Sequence, residues 1–166
     1  MKFDQLALAA KTPAAQAKAL ALATFPIRDV VTTIGQDYRG NSIQNTAELS
    51  FNYTLFPGNL EFEILFYRPI PGDWNWLEEF SNKDEITTSH FGIHVDTVAA
   101  VNFYRAQFPR VWMDVVTVQH ENPACRDRRY QYLILDACEQ IGCALKIIRR
   151  VTLEEAAQLR GEYEKC

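Results

Sequence analysis

The side chains best suited to chemistry in this chain sit on short, strand-like runs. In Ser89-His90-Phe91-Gly92-Ile93-His94-Val95, positions 90, 92 and 94 fall on one face of an extended segment, so His90 and His94 share a face. Imidazole is a metal ligand and a proton carrier near neutral pH, and it is also a common hydrogen-bonded core group. Glu61 and Glu63 share a face of another such run, and a swap between them preserves the parity of the strand, so both positions stay open. Arg126-Asp127-Arg128-Arg129 gathers three guanidiniums, which would hold an anionic group if that loop leaned over a cavity. With Asp127 offsetting part of the charge, a solvated loop is the plainer reading. Cys125, Cys138, Cys143 and Cys166 lack the paired short spacing of a zinc ribbon and read as thiols outside any such site.

The elements that must position these groups follow from periodicity and punctuation. Phe3 to Ala9 suits a strand; Thr12 then caps, and Pro13 opens, an Ala-rich helix to about Thr24, where Phe25-Pro26 ends it. Asp29 to Thr33 reads as a strand, Gly40-Asn41 as a turn, and the alternation over Thr46 to Phe56 as a half-buried strand. Pro57-Gly58-Asn59 turns the chain into a strand over Leu60 to Tyr67. A linker carries Trp74, Trp76 and an acidic stretch around Glu78, Glu79 and Asp84. Beyond it come a strand over His90 to Val95, a helix over Asp96 to Phe108, and strands over Val111 to Gln119, Tyr130 to Asp136 and Ala144 to Arg149. Thr152 with Glu155 makes a capping box that opens a last helix, Leu153 to Tyr163.

The order strand, helix, strand, strand, strand thus occurs twice. Gln5 and His90 stand 85 residues apart, as do Ala14-Ala15 and Ala99-Ala100, and as do Asp29-Val30-Val31-Thr32-Thr33 and Asp114-Val115-Val116-Thr117-Val118. Phe25-Pro26 and Phe108-Pro109 end the two helices 83 residues apart. Matches that keep their order across a whole supersecondary unit mark a duplicated module. The expected organisation is one α+β domain over residues 1–166: a βαβββ module over about 1–67, a linker over about 68–87, a second module over about 88–151, and a C-terminal helix over about 152–164. A net charge of −4 argues against a broad footprint on nucleic acid. No apolar run approaches the roughly 20 residues that span a bilayer, and the N-terminus makes a poor signal peptide, so a cytoplasmic protein without a membrane partner is expected.

Two βαβββ modules, with Ser89-His90-Phe91-Gly92-Ile93-His94-Val95 opening the second and Phe62-Glu63-Ile64-Leu65-Phe66-Tyr67 closing the first, resemble the vicinal oxygen chelate superfamily. That superfamily includes glyoxalase I, bleomycin-resistance proteins and extradiol dioxygenases. The resemblance implies a curved mixed sheet around a cavity, a homodimer, and ligands from the first and fourth strands of each module. By position these are Gln5, Glu63, His90 and Lys146. One divalent ion (Zn, Ni, Mn or Fe) would take Gln5, Glu63 and His90. Lys146 stands where the family usually carries a carboxylate; a protonated lysine has no lone pair to offer, and it is a catalytic base only if burial depresses its pKa. Two functions follow from the resemblance. One is a metal-dependent lyase, isomerase or dioxygenase of glyoxalase type. The other is a domain with a degenerate metal site, in which Lys146 pairs with Glu63 and a small molecule meets Gln5, Glu63, His90, Lys146 and His94. A third reading, a protein-interaction module, would use the Trp74 to Trp76 loop.

Overall fold

The computed structural model describes residues 2–21, 27–54, 60–66, 77 and 84–165. The Phe25-Pro26 stop, the Pro57-Gly58-Asn59 turn, Trp74, Trp76, Glu78, Glu79 and Cys166 lie outside the described residues. In chain order the elements are β1 (Lys2–Ala10), α1 (Pro13–Ala21), β2 (Ile27–Asp37), β3 (Ser42–Asn52), β4 (Glu61–Phe66), β5 (Thr87–Val95), α2 (Val98–Gln107), β6 (Val111–His120), β7 (Tyr130–Leu135), α3 (Cys138–Ile141), β8 (Ala144–Arg150) and α4 (Leu153–Tyr163).

Local chemistry sets many of these boundaries. Thr12 Oγ1 accepts from the Ala15 amide at the start of α1, Thr97 Oγ1 accepts from the Ala100 amide at the start of α2, and Thr152 with Glu155 forms the full capping box of α4. β3 runs over 42–52, against the expected Thr46 to Phe56, of which Leu55 and Phe56 lie outside the described residues. It begins early because the Asp37 carboxylate ties up the Arg39 and Asn41 amides in a tight turn. It ends early because Asn52 Oδ1 accepts from both the amide and the hydroxyl of Thr54, offering the chain a local turn in place of the ladder. The one-turn helix α3, absent from the sequence-based expectation, joins β7 to β8 and ends at Gly142.

All eight strands close into one barrel in the order β1-β4-β3-β2-β6-β7-β8-β5. Each half repeats one scheme: its first strand pairs in parallel with its fourth, β1 with β4 and β5 with β8, and the other pairs are antiparallel. Two antiparallel seams, β2 against β6 and β1 against β5, join the halves. This is the curved mixed sheet that the resemblance implies. Inward side chains, among them Val31, Leu49, Phe51, Leu65, Met113, Val115 and Ile134, make the barrel core, and Leu77 from the linker segment joins them. Outward side chains seat the helices: Ile64 and Phe66 hold α1, Leu133, Leu135 and Ile147 lie under α2, and Val116 and Val151 take Ala156 and Tyr163 of α4. Asp114 anchors this outer layer, accepting from Arg105, Gln131 and Tyr163.

The register corrects one detail of the repeat. Asp29 and Asp114 match in sequence, yet Asp29 lines the interior while Asp114 faces the helices. The seams also show where a side chain cannot fit. A Cβ at Gly35, on β2, would lie 2.0 Å from the Asp114 carbonyl oxygen and 2.6 Å from the Val115 Cα of β6, both backbone atoms that cannot swing aside. Gly35→Ala should therefore pry this seam open and cost about 3 kcal/mol or more, measured by urea unfolding. A loss under about 0.5 kcal/mol would mean that the seam is looser than its register implies.

Candidate functional site

Barrel closure brings the four inward positions Gln5, Glu63, His90 and Lys146 together at the centre, all at least nine-tenths buried. Gln5 of β1 pairs with Glu61 of β4, and His90 of β5 pairs with Ala144 of β8. Glu63 therefore lies two residues past Gln5's partner, as Lys146 lies two past His90's. The register decides between the two glutamates: Glu63 is the counterpart of Lys146 across the repeat, and Glu61 is its neighbour on the same face. β5 comes this close to β1 because residue 92 is glycine; a Cβ there would sit 2.5 Å from the Gln5 Cβ.

The hydrogen bonds fix each other's direction in turn. The Gln5 amide nitrogen donates to Glu61 Oε1 and, at 3.1 Å, to Glu63 Oε2. Its carbonyl oxygen therefore points at His90, whose Nε2–H donates to it at 2.7 Å. The imidazole then carries its lone pair on Nδ1, which accepts from the Ser89 hydroxyl at 3.0 Å. Glu63 Oε1, fully buried, has no hydrogen-bond partner among the described residues. His90 Nε2 and Lys146 Nζ each stand 3.8 Å from it, and the ammonium lies 4.4 Å from the centroid of the Tyr132 ring.

Burial decides the protonation states. It raises the Glu63 carboxyl from 4.5 to about 7, Lys146 opposing the rise and Glu61 adding to it. It pushes His90 well below its usual 6.5, with Lys146 working in the same direction, so the imidazole is neutral. Burial likewise drives the Tyr132 phenol well above 10.

A divalent ion at this centre, as the resemblance implies, does not fit the residues present. The fourth position is an ammonium, which has no lone pair to offer, repels a cation and already stands 3.8 Å from Glu63, the carboxylate of the other three.

Gln5 and Glu63 of the quartet line a cavity of about 520 Å³, while His90 and Lys146 are not on its lining. Phe51, Tyr53, Tyr130 and Tyr132 supply aromatic wall, and Asp4, Glu61, His94, Arg128 and Arg150 supply polar groups. His94 lies on this wall, its ring edge-on to Tyr130, and makes no hydrogen bond to the quartet among those described. Arg128 also lines the cavity and donates to the Tyr53 hydroxyl at 3.0 Å, so one guanidinium of the 126–129 cluster does lean over the hollow. The wall holds a second polar group that the sequence reading missed: Asp29, His120 and Cys125. Asp29 and His120 are 91 residues apart and meet only because β2 pairs with β6. A register shift in that seam, where Thr33 faces Thr117 but Thr32 faces Gln119, turns His120 inward. No spacing in the sequence carries that signal.

No family model matches the chain, and no curated protein matches it. Among solved structures, it is similar to a hypothetical protein from Bacillus halodurans C-125 at 15% identity, covering 90% of this chain and 94% of that one with a TM-score of 0.45. It is also similar to a methylmalonyl-CoA epimerase at 11% identity, covering 90% and 95% with a TM-score of 0.45, and to that of Mycobacterium tuberculosis at 11%, covering 93% and 91% with a TM-score of 0.42.

Glu63 and His90 impose opposite pH dependences on stability. A carboxyl raised on folding stabilises below 4.5, and that contribution is lost as pH rises through about 7; an imidazole lowered on folding stabilises above 6.5 and loses its contribution as pH falls. Between about pH 4.5 and 6.5 the two slopes oppose. Relative to the unmutated chain, Glu63→Gln should make stability rise more steeply with pH and His90→Gln should make it fall, each by about 1 kcal/mol per pH unit, in urea unfolding at pH 5 and 6.5. Parallel pH profiles for the two variants would overturn these assignments.

Proposed function

We propose that this chain is a small-molecule binding domain in which Lys146 supplies, from within the chain, the positive charge that a metal ion would bring to the centre of such a barrel. The carrying observation is the Lys146–Glu63 pair at 3.8 Å beside a Glu63 oxygen that no described residue satisfies. In this reading the Glu63 carboxylate, which lines the cavity, accepts from a ligand hydroxyl or amine, and Lys146, 3.8 Å from it and not on that lining, favours its ionised form. A cavity of about 520 Å³ lies in the range that encloses a small organic ligand, and Phe51, Tyr53, Tyr130 and Tyr132 suit a planar body. This reading keeps His94 among the ligand contacts. It also takes the protein as a homodimer, which rests on the resemblance, and as cytoplasmic, which rests on the sequence.

A second reading is metal-free proton transfer. A carboxyl raised to about 7 on the cavity lining is poised to give or take a proton at neutral pH, which favours Glu63 over Lys146, a residue not on that lining, as the group that would do so.

Thermal unfolding with a panel of small aromatic compounds bearing hydroxyl, amino or carboxylate groups tests the binding reading. A compound present at about 100 times its Kd should stabilise the protein by about 2.7 kcal/mol, and Lys146→Met and Glu63→Gln should each abolish that gain. A gain that survives both substitutions would place the ligand elsewhere and end the reading.

A further inference from the structure

Apart from the quartet, the cavity wall carries three donors of different chemistry. Asp29 comes from β2, His120 from the last position of β6, and Cys125 from the 3-10 turn Pro123–Cys125 that follows. One ligand atom from each lies within 4.8 Å of the other two. Asp29 Oδ2 is 2.7 Å from His120 Nδ1, and Asp29 Oδ1 accepts from the Asn122 amide at 2.8 Å. Asp29 and Cys125 are each 4% exposed, and the His120 side chain 5%.

A simple brace between β2 and the loop after β6 explains Asp29 and one imidazole nitrogen. It does not explain the rest. His120 Nε2 is buried and has no hydrogen-bond partner among the described residues, although a buried polar atom left without one is destabilising. A thiol closes the same cluster. With Nδ1–H given to Asp29, the lone pair is on Nε2; with the proton moved to Nε2, the lone pair is on Nδ1. Either tautomer leaves the ring one donor for an ion.

We propose that Asp29, His120 and Cys125 form a binding site for a borderline-soft divalent ion of the Zn²⁺ or Co²⁺ class, with an open coordination position toward the cavity. Thiolate, imidazole and carboxylate together suit zinc and cobalt and disfavour magnesium and calcium. Three protein ligands with a fourth position left open is the arrangement of reactive, not structural, zinc sites. Bond lengths of about 2.0–2.3 Å put donors about 3–4 Å apart, so atoms already within 4.8 Å need only a small closure. The charges balance: one carboxylate and one thiolate offset a divalent ion. On binding, the Cys125 S–H bond breaks, an S–metal bond forms, and the proton leaves to solvent. The site shares no residue with the central quartet, so it stands whether or not Lys146 takes the part proposed for it.

The test is titration of the chelator-treated full chain with Co²⁺. One equivalent should bind and produce a sulfur-to-cobalt charge-transfer band, Zn²⁺ should displace it, and excess Mg²⁺ should not. Cys125→Ser should lose the band and His120→Gln should weaken binding at least about tenfold, while Cys138→Ser and Glu63→Gln keep both. Absence of stoichiometric binding by the folded wild type, or a band lost in Glu63→Gln and kept in Cys125→Ser, would overturn the proposal. If Cys125→Ser fails to fold, zinc X-ray absorption on the wild type decides. One sulfur at about 2.3 Å among nitrogen and oxygen neighbours supports the site; no sulfur, or more than one, refutes it.

Discussion

Putting a carboxylate at the centre of a closed barrel is costly, because an unpaired buried charge loses its hydration and gains nothing in return. The rest of this structure can be followed from how Glu63 is accommodated. Gln5 donates to one of its oxygens, Lys146 stands near the other, and burial still raises its pKa until the acid is about half ionised near neutrality. Burial, with Lys146 acting in the same direction, keeps His90 from carrying a charge. It stays neutral and is locked between the Ser89 hydroxyl and the Gln5 oxygen. One expensive group thus fixes an amide orientation, a tautomer and the place of an ammonium.

The barrel makes that accommodation possible by geometry. Each half brings its first and fourth strands side by side in parallel, which puts Gln5 and Glu63 on one inner face and His90 and Lys146 on another. The β1–β5 seam then lays the two halves edge to edge, and Gly92 lets the strands approach closely enough for Gln5 and His90 to bond. The β2–β6 seam does different work. Its shifted register turns His120 inward beside Asp29, so the second polar cluster belongs to the joint between the halves and to neither half alone. The outer layer is independent of both, since Asp114 and its partners Arg105, Gln131 and Tyr163 face away from the cavity.

What was legible in the sequence tracks how local the deciding interaction is. The two-residue alternation of strands, the Thr caps and the duplicated order of elements are carried by near neighbours, and the eight strands and three longer helices follow from them. Gln5 and His90 could be matched across the repeat because their strands open the two modules without an intervening shift. Spacing left both Glu61 and Glu63 open and the resemblance favoured Glu63; the parallel register of β4 on β1 separates them. The match of Asp29 with Asp114 misled for a related reason: identical letters sit on opposite faces of β2 and β6, and no pattern within either strand reveals it. Asp29, His120 and Cys125 were out of reach because they depend on one pairing between halves and one irregularity within it.

The central claim is that the heart of the barrel is closed by the chain's own hydrogen bonds and ammonium. The ¹⁵N resonances of the His90 ring, in protein labelled at histidine, report on it most directly. The account predicts a neutral ring with the proton on Nε2 throughout pH 5 to 8, unchanged by added Zn²⁺ even when another site on the chain takes up the ion. An imidazolium in that range, a proton on Nδ1, or a metal-induced shift of His90 Nε2 would contradict it.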